Sequence, residues 1–369
     1  MSWKNFVKSV LFTALAGISI VYIWLLLVDP YDTVWFSPAV DREPVSMNQR
    51  FSYPALARKP HFDSLMVGTS SIRLLNPARL DPLLDASFAN LAMDSATPFE
   101  QSRILELFVR YHPSVRYAFF GVDDTNYCHP RDVHSRLTYR PFPPWMYDEN
   151  RWNDLLYLFN SSTVEMAWRQ FRSMLGLWKP RYGKDGYTNF LPPESKYNVE
   201  QARLVIYGGE RPRVKAPIDP PEPISDADKA GWTFPNLDLL EEMLRTSPAE
   251  TVKVLILPPY HQFRLSVPGS RRAAKIAACK ERIAQLAEAL PNTTVIDFWQ
   301  RSPITLNDEN YWDAQHYKAS VAPILEGAVV DAIRNGPVDA DFFSVLAWPA
   351  RSGERANLGL HGLPQPETP

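Results

Sequence analysis

The chain has 369 residues, with 39 Lys and Arg against 41 Asp and Glu, a net charge of −2 and only 2 cysteines. Charge this close to balance, with no basic run beyond Arg271-Arg272, excludes the basic footprint that nucleic-acid binding needs. No Cys/His cluster has the spacing of zinc ligands, and nothing calls for a metal or other cofactor.

The first element in chain order is an anchor. Ser9 to Val28 is a run of 20 residues without a charge. As a helix it spans about 30 Å, the thickness of a bilayer core. Lys4 and Lys8 precede it, and Asp29 and Asp32 follow it. That order places the N-terminus in the cytoplasm and the main domain outside, in a periplasmic or equivalent space. The alternative is a cleaved signal peptide. The run is longer than a usual signal core, however, and no small-x-small site precedes Asp29. Residues 1–30 are therefore assigned to a cytoplasmic N-terminus and a single membrane anchor, and residues 31–335 to an α/β domain.

Five short apolar runs with polar ends predict buried parallel strands: Phe62–Val67, Ser87–Ala92, Val115–Phe120, Val252–Leu257 and Thr294–Phe298. Helical patterns separate most of them. Thr97-Pro98-Phe99-Glu100 is a capping box with proline at the first helical position. The helix it opens carries Ile104, Leu105, Phe108 and Tyr111 on one face. Leu237–Leu244, Arg271–Leu290 and Val321–Ile333 give three more amphipathic helices. Alternating strands and helices predict a doubly wound α/β fold with a five-stranded parallel sheet. Between the third and fourth strands, about 129–230 reads as an insertion or cap rich in Trp, Tyr and Pro. Within it Asn150–Phe159 and Thr163–Leu175 read as helices, and Arg203–Tyr207 as a strand-like run. After Gly336 periodicity fades, and 336–369 is expected to be a disordered tail. Cys128 and Cys279 could pair in an oxidising compartment. The helical spacing of Cys279 from Ile276 and Ile283 favours a buried free thiol.

Two short motifs almost 250 residues apart carry the chemistry. Leu65-Met66-Val67 leads into Gly68-Thr69-Ser70-Ser71, and Asp313-Ala314-Gln315-His316 stands near the end. Gly68 permits a tight turn that sets Ser70 at the carboxyl end of the sheet, where open α/β folds bind ligands. A serine hydroxyl needs a base to become a nucleophile. His316 can be that base, with Asp313 holding its other nitrogen. Ser71 is the rival nucleophile. His261, in Pro258-Pro259-Tyr260-His261 after the fourth strand, is a candidate for the substrate pocket, and His129 and His134 are weaker ones.

These motifs resemble the SGNH/GDSL hydrolase superfamily, especially its membrane-anchored bacterial members of cell-envelope acyl transfer, the DltD-like and alginate-acetylation proteins. The resemblance covers about Phe62 to Asn335, without the insertion or the tail. It implies a catalytic set of Ser70, His316 and Asp313, with Gly68-Thr69-Ser70 standing for the family's Gly-Asp-Ser and Asp313 to His316 for its Asp-x-x-His. In the family's Asn-x-x-x-x-Gly block this chain has Asn90 to Ser95, with Ser95 at the glycine. In the Gly-x-Asn-Asp block it has Gly121-Val122-Asp123-Asp124, with Asp123 at the oxyanion asparagine. The implied oxyanion candidates are Ser70, Ser95, Asp123 and Asn126. Asp123 is then protonated, replaced in its role by Asn126, or a sign that the site binds without reacting. The resemblance implies an extracytoplasmic serine esterase or O-acyltransferase without a cofactor. Its acceptor would be a cell-envelope carbohydrate, and an acyl-transfer membrane protein would be its partner. The alternative is a catalytically weak or inactive module that binds a glycan or a partner of an envelope assembly complex.

Overall fold

The computed structural model describes residues 2–129, 136–337 and 340–349. The chain starts with helix α1 (Trp3–Val28), whose side chains are almost all exposed until its last turns. It is the one helix among the described residues that is long and apolar enough to cross a membrane.

The folded region then runs α2 (Gln49–Leu56), β1 (Ser64–Val67), α3 (Pro77–Leu84), β2 (Phe88–Asn90), α4 (Pro98–Tyr111) and β3 (Tyr117–Gly121). A long excursion with α5 (Asp154–Leu158), α6 (Ser161–Met174), α7 (Val199–Ile206), α8 (Asp226–Ala230) and α9 (Asn236–Thr246) leads to β4 (Val252–Leu257). The chain continues through α10 (Arg271–Glu288), β5 (Thr293–Asp297), α11 (Ala322–Asn335) and β6 (Ser344–Ala347).

The strands form one sheet in the order β2-β1-β3-β4-β5-β6. The first five are parallel, and β6 runs antiparallel to β5. Strand residues alternate between two cores. Leu65, Val67, Ala118 and Phe120 pack with α4, α9 and α10, whereas Met66 and Phe119 pack with α3 and α11. Sheet order reverses between β1 and β3. At such a switch point the two flanking loops diverge and leave a crevice at the carboxyl ends of the strands.

Glu100 ties together two helices that share one core. It closes the expected capping box, with its amide donating to Thr97 Oγ1 at 3.2 Å and its carboxylate accepting from the Thr97 amide at 3.0 Å. The same carboxylate takes both forks of the buried Arg50, at 3.0 and 2.5 Å, and so locks α2 onto α4.

Three expectations are corrected. Arg203–Tyr207 is not a strand but the end of α7: Asn198 accepts from the Gln201 amide, and Ala202 and Ile206, one turn apart, bury the same face. The cysteines are not free thiols; Cys128 and Cys279 form a disulfide. Helical spacing put Cys279 on the buried face of α10 but carried no information on what meets that face. The sheet has six strands rather than five, because Ser344–Ala347 pairs with β5. That short run, with Phe343 buried just before it, lies within the segment expected to be a disordered tail. Residues 350–369 of that tail lie outside the described residues, as does His134.

Candidate active site

The site grows from the ends of β1 and β3. Gly68 follows β1 directly, and a Cβ there would sit 3.0 Å from the Gly121 Cα at the end of β3 and 3.0 Å from the Ile72 side chain. Only glycine allows the two strand ends to come this close, and the turn that follows carries Thr69, Ser70 and Ser71.

The structure brings Ser70, His316 and Asp313 together. Ser70 Oγ lies 2.9 Å from His316 Nε2, and His316 Nδ1 lies 2.7 Å from Asp313 Oδ2. The other oxygen of Asp313 accepts from the Gln315 and His316 amides at 2.7 and 2.8 Å. The Asp-x-x-His spacing thus closes a small turn on its own carboxylate, which fixes the imidazole plane. Burial tends to raise the Asp313 carboxyl, but the His316 bond and charge and the two amides outweigh it and hold it below its ordinary value. An ionised Asp313 keeps the proton on Nδ1 and leaves Nε2 to accept from Ser70.

Asp123 is buried beside the serine turn, in the wall of the cleft that Ser70 lines. Its carboxylate accepts from Thr69 Oγ1 at 2.8 Å and from the Tyr260 hydroxyl at 2.7 Å. Burial pushes its carboxyl above the ordinary value, against the lowering effect of hydrogen bonds from Tyr260, Thr69 and Ser71. It therefore braces the residue before Ser70. Thr69 Oγ1 also meets Ser71 Oγ at 3.0 Å, which engages Ser71 in the same buried network, whereas Ser70 faces the cleft.

Ser95 stands in the left-handed region, φ 51°, a conformation that favours glycine. Asn126 spends its amide on the Ala96 carbonyl at 3.0 Å. Both line the cleft of about 810 Å³ that Ser70 also lines, together with Phe99, Arg136, Tyr139 and Leu239.

His261 lies elsewhere than expected. It is fully buried, its Nε2 3.1 Å from Asp308 Oδ1 and its ring edge-on to Tyr207 and Tyr311. Its amide donates to the Ala314 carbonyl at 3.1 Å, so it steadies the Asp313–His316 turn from behind. The cause is Asp308, whose distance in sequence gave no hint of the pairing. His129 is half-buried.

Sequence reading missed Arg73 and Phe190. Phe190, from the excursion between β3 and β4, packs edge-on against the His316 ring at 5.5 Å, and the Arg73 guanidinium lies over the Phe190 ring at 4.5 Å. Arg73 in turn pairs with Asp94. An arginine just after the serine turn was the one available signal. Among the described residues, no group of three or more His, Cys, Asp or Glu side chains is gathered as a metal site.

No protein-family model matches the chain, and no curated protein matches it.

Proposed function

We propose that this chain is an extracytoplasmic, membrane-anchored serine esterase or O-acyltransferase of SGNH type, acting on cell-envelope carbohydrate. The observation that carries this reading is the hydrogen-bonded chain Ser70–His316–Asp313 at the carboxyl edge of a parallel sheet. Two features support the SGNH assignment. Ser95 has a glycine-like backbone where the resembled family has glycine, and the site sits at the β1/β3 switch point. Residues 129–230 are then an insertion that supplies part of the cleft wall and Phe190 beside the histidine.

In the first half-reaction Ser70 Oγ attacks the acyl carbonyl while its proton passes to His316 Nε2. Asp313 stabilises the imidazolium that forms. The tetrahedral intermediate collapses, the donor alcohol leaves with the proton from His316, and the acyl group stays on Ser70. A sugar hydroxyl or water then gives its proton to His316 and attacks, which returns Ser70 to its starting form. The Ser70 and Ser95 backbone N–H groups are the oxyanion donors in this scheme. An acyl-transfer membrane protein would be the source of the acyl group.

The anchor reading rests on α1, with Lys4 and Lys8 on its cytoplasmic side. The Cys128–Cys279 disulfide supports an external domain, since such bonds persist in oxidising compartments.

A second reading is a catalytically weak module that binds a glycan or an envelope-assembly partner. Asp123 favours it: a carboxyl stands where the family has its oxyanion asparagine, and Asn126 is already engaged. Loss of one such donor removes about 10²–10³ in rate. Turnover of 4-nitrophenyl acetate by the full chain in detergent, with and without an oligosaccharide acceptor, separates the two. The enzyme reading expects release of 4-nitrophenol that Ser70→Ala abolishes. Equal rates for both proteins would leave the binding module.

A further inference from the structure

The stretch from just before α5 to just beyond α6 exposes a run of large apolar side chains, although Trp152 meets the Trp35 ring edge-on and Trp168 stacks on Phe171. Leu156 is 80 % exposed, Trp152 65 %, Leu177 64 %, Leu175 56 % and Trp168 54 %. On α6, Thr163, Ala167 and Gln170 form the buried stripe, whereas Val164, Trp168 and Leu175 form a neighbouring stripe turned outward. A helix with one side packed and an apolar stripe left uncovered beside it is made for a second apolar contact.

What covers that face is set by where α6 sits. Leu25 and Val28 of α1 bury against Ala167. Phe171 meets the Trp24 ring at 6.4 Å, Phe159 meets the Tyr22 ring at 5.7 Å, and the Tyr22 hydroxyl donates to the Leu155 carbonyl at 2.7 Å. Tyr22 lies six residues before Val28, about 9 Å down the helix axis. The uncharged run of α1 ends at Val28, so a bilayer crossed by α1 has its outer boundary close to that residue. Elements that touch Tyr22 and Trp24 therefore reach the depth of the headgroup–acyl boundary. The composition of the stretch fits that depth. Trp and Tyr belong to membrane interfaces, and the Glu165–Arg169 pair and Arg172 supply polar groups for headgroups.

We propose that α5 and α6 form a second membrane contact, lying in the interface of the leaflet from which α1 emerges, with Leu156 and Trp168 in lipid. This rests on the reading of α1 as a membrane span. The contact fixes the domain against the leaflet instead of leaving it on a free tether, and so sets the orientation of the Ser70 cleft relative to the membrane surface.

The test uses the full chain in vesicles of phosphatidylethanolamine and phosphatidylglycerol, with its native disulfide intact. Single cysteines replace Leu15, Leu156, Trp168 or Ile324 and carry an environment-sensitive fluorophore. Ile324 is the control, because α11 packs on the opposite face of the sheet from the cluster that includes Tyr22. Nitroxide-bearing lipids then report depth. Labels at 156 and 168 should be quenched several-fold more than the label at 324, and best by a nitroxide high on the acyl chain. The label at 15 should be quenched best by a deep nitroxide. Quenching at 15 with no more at 156 and 168 than at 324 would overturn the second contact and leave the anchor standing. That is also the result for a face kept clear of lipid for a protein partner. Absence of quenching at all four positions would overturn the anchor and the second contact together.

Discussion

Replacement of Asp123 tests whether the buried carboxyl holds the serine turn. Asp123→Ala strands the Thr69 and Tyr260 hydroxyls that it accepts from. A buried polar group without a partner costs about 1–3 kcal/mol. Thr69 keeps Ser71 as a partner at 3.0 Å, so its share falls at the low end. Tyr260 is buried and carries most of the loss. The sum is roughly 2–4 kcal/mol, read as a lower melting midpoint of the full chain in detergent. Asp123→Asn keeps one acceptor oxygen and loses about 1 kcal/mol or less. The two proteins also differ in pH dependence. Burial raises the folded-state value of Asp123 above the ordinary 3.8. The folded chain then binds more protons than the unfolded one between the two values, and stability falls as pH rises through that window. Asn has no such term, so the gap between wild type and Asp123→Asn should close as pH rises. Labelling of Ser70 by a fluorophosphonate should be retained or increase in Asp123→Asn, most visibly at high pH, and weaken in Asp123→Ala. An alanine variant that melts and labels like wild type, or a gap independent of pH, would refute the reasoning.

Three further outcomes follow from single contacts. Asp313→Asn should slow fluorophosphonate labelling about 10²–10⁴-fold by removing the group that orients His316. Its depressed carboxyl stabilises the fold above the ordinary carboxylate value, and that stabilisation is lost as pH falls through the folded value; the Asn variant should show no such loss. Cys128→Ser opens a link across 151 residues and should cost about 2–5 kcal/mol, read as a lower melting midpoint, while a thiol probe should react with wild type only after reduction. Glu100→Ala leaves the Arg50 guanidinium buried without its partner and should cost about 3–5 kcal/mol, with an unchanged melting midpoint as the contrary result.

The parts of the fold legible in sequence were those with local signals. The five parallel strands are short apolar runs with polar ends, interrupted in β4 by Lys253, and the Thr97–Glu100 box marks its helix start by residue type alone. The Asp313–His316 turn was legible because its geometry is set within four residues. What stayed hidden depends on tertiary partners. Arg203–Tyr207 has the β-branched look of a strand, but Asn198 caps it as a helix and Asp308 receives Arg203 and Tyr207 across the fold. The same Asp308 draws His261 inward, away from the cleft. The β6 pairing rests on a four-residue run set among prolines and charges, and the disulfide on two positions brought together only by the packing of α10 against the turn after β3.

The central claim is that Ser70 is a base-activated nucleophile. Its most direct measurement is the site of fluorophosphonate attachment, read by peptide mass spectrometry on the full chain, with Ser70→Ala and His316→Ala beside wild type. The account predicts an adduct on the peptide that contains Ser70, absent from Ser70→Ala and strongly slowed in His316→Ala. An adduct on Ser71, or no adduct in folded wild-type protein, would contradict it.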